Sequence, residues 1–154
     1  MRLKYGVSAI LTSGLLFISL FLPAMIVRFV GLAGNRPSFF NILGEIGNNN
    51  AIGVMIGILT VFTLIAVIML AIIGVCIITR YMQVRAMKAF KTIMMSTGMV
   101  AILTAIVTII DMFTTETIPG MTVSVGVGTI LLLVFGIFAM SAPFVLKMIK
   151  GEAQ

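Results

Sequence analysis

Side chains able to do acid–base, nucleophilic or metal chemistry are scarce in this chain. It has four carboxylates (Glu45, Asp111, Glu116 and Glu152), one thiol at Cys76 and no histidine. Without histidine there is no proton shuttle near neutral pH, and no base for a serine, threonine or cysteine nucleophile. A single aspartate excludes a paired-aspartate hydrolase, and a lone cysteine excludes a CxxC redox pair. Gly126-Val127-Gly128 lacks the rest of a phosphate-cradling glycine loop. Thirteen methionines include Met94, Met95 and Met99 on one stretch. Thioethers bind Cu(I), but with no histidine or cysteine beside them adaptable apolar packing explains them better. The expectation is a non-enzymatic chain with no catalytic residues, metal or cofactor.

The elements that would hold these groups follow from composition. Of 154 residues, 61% are hydrophobic and 9% charged, with net charge +6; a soluble domain carries about 25% charged residues. So few charges cannot keep such a surface in water, and one cysteine cannot make a disulfide scaffold. A helix needs about 20 mostly apolar residues to cross a bilayer, and four stretches qualify: about 5–27, 51–79, 92–110 and 121–146. The first carries basic Arg2 and Lys4 ahead of it like a signal peptide, but its apolar run is too long and no small-x-small cleavage site follows. No run of about ten residues alternates apolar and polar as a membrane barrel strand would. The predicted fold class is all-α, a four-helix transmembrane bundle forming one domain over 1–154.

Charge sets the orientation. Arg2, Lys4, Arg80, Arg85, Lys88, Lys91, Lys147 and Lys150 fall on one side of the four spans. Arg28 and Arg36 fall on the other, together with Glu45, Asp111 and Glu116. The positive-inside rule then puts both termini and the middle loop in the cytoplasm. Outer loops without glycosylation sequons fit a bacterial or archaeal plasma membrane.

Two loops read as short amphipathic helices. In the first outer loop Ser38 is placed to cap a helix, and Phe39, Ile42, Leu43 and Ile46 recur at helical spacing beside Phe40. This face would rest on the bundle or the membrane surface, or dock a partner. In the cytoplasmic loop, Arg80, Arg85, Lys88 and Lys91 share one sector and suit anionic lipid headgroups, or satisfy topology alone. Four cations between two spans are too small a footprint for nucleic acid.

Gly53-x-x-x-Gly57 is a small-residue face for close helix approach, and Gly126 and Gly128 thin the fourth span. These glycines serve packing within the bundle or receive another subunit. Hydroxyls at Ser13, Thr60, Thr63, Thr104, Thr108, Thr129 and Ser141 are suited to bonding between helices. Pro143 is expected to kink the fourth span. A faint repeat is also visible. Ala9-Ile10-Leu11-Thr12 recurs as Ala101-Ile102-Leu103-Thr104, while Gly53-Val54 and Leu59-x-Val61-Phe62 recur 73 residues later, as does Ala66 at Ala139. Two hairpins in the same orientation would form a parallel repeat.

No ionisable group lies mid-span, as ion-coupled transport would require. The expected role is an accessory or scaffold subunit that contacts lipid and other membrane subunits, without nucleic acid or a soluble substrate. Two alternatives remain open. One is a homo-oligomeric channel with Asp111 and Glu116 at its outer mouth. The other is a toxin-immunity protein binding through the Phe39–Ile46 helix.

Overall fold

The computed structural model describes residues 2–29, 34–44, 51–79, 83–114 and 119–151. Its elements are α1 (Arg2–Phe21), β1 (Met25–Phe29), α2 (Phe39–Gly44), α3 (Ala51–Ile78), α4 (Gln83–Thr114), β2 (Met121–Val125) and α5 (Val127–Gly151). The chain is mostly helical, and four of its helices are long and apolar enough to cross a membrane. One end of the bundle carries both chain termini and the α3–α4 connection (the terminal end). The other carries β1, β2 and α2 (the strand end).

The all-α expectation needs correcting, because two of the apolar stretches are not helical throughout. The first helix stops at Phe21. Pro23 has no N–H to donate and its ring blocks continuation, and Met25–Phe29 then runs as a strand. The fourth span likewise begins as strand Met121–Val125 before the helix starts at Val127. Thr122 and Ser124 alternate with Val123 and Val125 there, a pattern that suits a half-buried strand. β1 and β2 pair antiparallel, Met25 with Val125, Val27 with Val123 and Phe29 with Met121.

The helix expected between the second and third spans is not separate either. Residues from Gln83 onward form the first turns of α4. No glycine or proline interrupts the run from Gln83 to Thr97, and Ala86 and Phe90 are buried in the bundle core. The ring of Phe90 meets Tyr5 of α1 edge-on, with centroids 5.3 Å apart. The second span matches α3 closely, while the third is extended at both ends. Pro143 lies buried inside α5, which continues past it to Gly151.

The core has two parts. Towards the strand end, Leu16 and Leu20 of α1 pack with Ile56, Ala101, Ala105 and Leu132. Towards the terminal end, Ala9, Leu70, Ile77, Phe90, Met94 and Ala139 do the same. Elsewhere the long helices turn large apolar side chains outward, among them Leu11, Ile18, Phe62, Ile65, Ile72 and Phe138.

The repeat is real in the tertiary structure, but half of its predicted register is wrong. Around Gly74 the nearest atoms to a built Cβ are Ile10 Cγ1, the Gly6 carbonyl oxygen and Ala9 Cβ. Around Gly136 they are Ile102 Cγ1, the Gly98 carbonyl oxygen and Ala101 Cβ. Thus α1 corresponds to α4, as Ala9–Thr12 and Ala101–Thr104 suggest. The helix α3 corresponds to α5 through Gly74 and Gly136, and not through Gly53 and Gly126 as the 73-residue offset implies. The strands obey the same relation. Met25 and Val27 of β1 correspond to Met121 and Val123 of β2, and Val27 pairs directly with Val123. The halves are therefore helix–strand–helix units related by an approximate two-fold axis running through that strand pair.

Candidate functional site

Of the glycines expected to form a partner face, Gly126 and Gly128 are engaged within the chain. Gly57 is buried and Gly53 half-buried on α3. A Cβ on Gly126 would overlap the Pro23 carbonyl oxygen and lie 2.6 Å from the Ala24 carbonyl carbon. A Cβ on Gly128 would lie 2.6 Å from the Leu22 carbonyl oxygen. These two glycines let the start of α5 press on the backbone after α1, an interface of the bundle with itself. The helix crossings Gly6–Gly74 and Gly98–Gly136 are absent from the sequence reading. Their signal was nonetheless present, since Gly6 and Gly98 each precede the repeated Ala-Ile-Leu-Thr by the same three residues.

The outer-loop helix is anchored too. Ser38 caps α2, its Oγ accepting the Asn41 N–H at 3.4 Å. The helix is only six residues long and ends at Gly44. Phe39 is 0% exposed among Leu16, Leu20, Ala24 and Ile56. Phe40 is half-buried, its ring 4.6 Å from that of Phe21. Ile46 and the side chains of Ile42 and Leu43 lie outside the described residues. As a docking face, Phe39 is therefore corrected to a core residue that seats α2 on the bundle.

The hydroxyls form an internal network. Thr63 and Thr104 bond each other at 2.9 Å across α3 and α4. Thr97 donates to the Ala66 carbonyl at 3.4 Å, and Thr129 to the Ala24 carbonyl at 2.7 Å. Thr60 and Thr108 bond carbonyls one turn back in their own helices. Ser13 bonds the Ile10 carbonyl, and exposed Ser141 bonds that of Phe138. Thr12 occupies in α1 the position of Thr104 in α4, yet its hydroxyl is buried with no hydrogen-bond partner.

At the terminal end, Arg85, Lys88 and Lys91 are exposed along the first turns of α4; Arg80 lies outside the described residues. The Lys91 ammonium stands 5.2 Å from the centre of the Phe144 ring, so one member of the basic face also ties α4 to α5. Asp111 is half-buried in the last turn of α4, and Glu116 lies outside the described residues. Met94 is fully buried whereas Met99 is 57% exposed, so the methionines do not converge on one point. Among the described residues no three acidic or thiol side chains gather to hold a metal. Cys76 is half-buried against the core of the terminal end.

Among the described residues the strand pair is open on one side. The outer edge of β1 is covered, since the Val27 N–H donates to the Asn35 carbonyl at 2.9 Å and the Ala24 N–H to that of Pro37. Because the Val27 N–H points away from β2, Val27–Val123 is a non-hydrogen-bonded pair of the ladder. In such a pair the backbone groups of Val123, and by alternation Met121 and Val125, face away from β1. Among the described residues no strand lies on that side. The connection from α4 to α5 is far shorter than that from α1 to α3, and among its described residues none pairs with β2 as Asn35–Pro37 pairs with β1.

No family model, curated protein or solved structure matches the chain. Its function is read from this geometry.

Proposed function

We propose that the chain is a non-catalytic, multi-pass protein of a bacterial or archaeal plasma membrane, with both termini cytoplasmic. In this reading it serves as an accessory or scaffold subunit of a larger membrane complex. The outward apolar side chains of all four long helices support the membrane location. The exposed cations Lys4, Arg85, Lys88 and Lys91 at the terminal end support the orientation.

The observation that carries the subunit role is the open edge of β2. An exposed strand edge is a template for another strand, and the chain itself fills the corresponding edge of β1 with Asn35–Pro37. The occupant we assign is an extended segment of a different membrane subunit. A channel is less well supported, because the threonine hydroxyls that would line it are consumed inside the bundle. A toxin-binding outer helix is weakened by the burial of Phe39.

Native mass spectrometry of the protein extracted in mild detergent tests the proposal, comparing wild type with Val123→Pro. Proline there removes an outward-facing donor and leaves the β1 ladder intact. A different subunit at fixed stoichiometry, lost in Val123→Pro while membrane insertion persists, is the expected result. Equal co-purification by both would sink the edge as the contact. A closed homo-oligomer without other subunits would transfer the argument to the channel.

A further inference from the structure

The approximate two-fold axis relates the α3–α4 interface to the α5–α1 interface, and the two are not equally closed. Between α3 and α4, contact runs from the Thr63–Thr104 bond through Thr97 and Ala66 to the short connection between the helices at the terminal end. Between α5 and α1, close contact is concentrated at the strand end, where Gly128 approaches the Leu22 and Ser19 carbonyls. Towards the terminal end these two helices leave a groove of roughly 370 Å³ lined by Leu3, Lys4, Val7, Ser8, Leu11 and Phe138. The helices α3 and α4 are consecutive in the chain and joined at this end, whereas α1 and α5 are not consecutive.

The lining is ordered by depth. Lys4 is exposed at the terminal end. Ser8 sits one turn further in, about 6 Å along the helix, and its hydroxyl makes no hydrogen bond among the described residues. Val7, Leu11 and Phe138, the last 52% exposed, supply an apolar wall running towards the bundle middle. A cation, then a free hydroxyl, then an apolar channel matches a phospholipid from phosphate through glycerol ester to acyl chain.

We propose that this groove holds one anionic phospholipid of the cytoplasmic leaflet. Its phosphate lies on Lys4, an ester carbonyl accepts the Ser8 hydroxyl, and an acyl chain lies along Val7, Leu11 and Phe138. This rests on the membrane reading and its orientation, and is independent of the β2 edge.

The test is native mass spectrometry of the full chain equilibrated with phosphatidylglycerol and phosphatidylcholine of identical acyl chains, with carbonate extraction of each variant as the check on insertion. One cation near anionic headgroups corresponds to about fivefold preference. Wild type is therefore expected to retain phosphatidylglycerol about fivefold over phosphatidylcholine. Lys4→Gln should bring the two near equality, while Lys88→Gln, on α4 outside the groove, should leave the preference intact. Val7→Trp, which fills the groove, should lower retention of both lipids alike, and excess glycerol phosphate should displace neither. An undiminished preference in Lys4→Gln, equal retention by wild type, or displacement by glycerol phosphate would overturn the lipid site. Wild type washed from membranes by carbonate would instead overturn the membrane reading beneath it.

Discussion

The two halves of this molecule share a plan and differ in finish. Each is a helix, a strand and a second helix crossing the first at a pair of glycines. The first half adds a long connection, whose Asn35–Pro37 covers β1 and whose Phe39 enters the core. The second half goes from α4 to β2 in a few residues, and among the described residues nothing covers that strand. At equivalent positions Thr104 of the second half bonds Thr63 across the α3–α4 interface, while Thr12 of the first half is buried without a partner. Duplicated architecture thus leaves its asymmetries at the connections, where among the described residues one strand edge and one groove have no equivalent in the other half.

Substitutions can break this comparison, beginning with the element only one half possesses. Phe39→Ala removes a fully buried ring and should cost about 3–5 kcal/mol, seen as a lowered thermal midpoint in detergent. A midpoint near wild type would mean that the first half does not depend on its extra connection. Gly126→Ala comes next. Its Cβ would meet backbone of Pro23 and Ala24, which cannot step aside as a side chain can. A loss of about 3 kcal/mol should accompany loosening of the β1–β2 ladder, read by amide exchange of Ile26 and Ser124.

The glycine crossings compare the halves directly. A Cβ at Gly98 meets the Gly136 carbonyl oxygen at 2.6 Å and the Met140 amide nitrogen at 2.9 Å. At Gly6 the nearest atom is a side-chain carbon, Ile78 Cγ1 at 2.6 Å, with backbone no closer than 3.0 Å. Gly98→Ala should therefore cost about 1–3 kcal/mol and Gly6→Ala clearly less; equal losses would contradict the tighter second crossing. The smallest effects belong to the threonines. Thr104→Val removes the interhelical bond to Thr63, whose hydroxyl keeps the Leu59 carbonyl, and should cost about 1 kcal/mol. Thr12→Val removes a buried hydroxyl with no bond to lose and should leave the protein as stable or more so.

Much of this was legible in the residues. The boundaries of α3 follow from an uncharged run between polar flanks, and the α2 cap from Ser38. Equivalence of the first and third spans was visible in Ala9–Thr12 and Ala101–Thr104. The strand β1 was not legible, because an apolar segment continuing a helix has similar hydropathy whether it coils or extends, and only Pro23 hinted at the change. The strand β2 carried a signal in the alternation of Thr122 and Ser124 with Val123 and Val125 ahead of Gly126, too short to stand out beside a long apolar run. The offset between second and fourth spans was misread because helices drawn from so few residue types match by chance. Gly74 and Gly136 stand out only once their neighbours across the interface are known.

The sequence by itself determined the number of long apolar helices, the end of the bundle carrying most of the cations and the poverty of catalytic groups. All of these depend on composition and on the order of residues along the chain. The tertiary structure alone decided which glycines meet, which hydroxyls are spent, that β1 finds β2 across about a hundred residues, and which edge and groove stay open. Those outcomes depend on distances between segments far apart in the chain. No local pattern encodes them, because the free energy of each contact belongs to both partners at once.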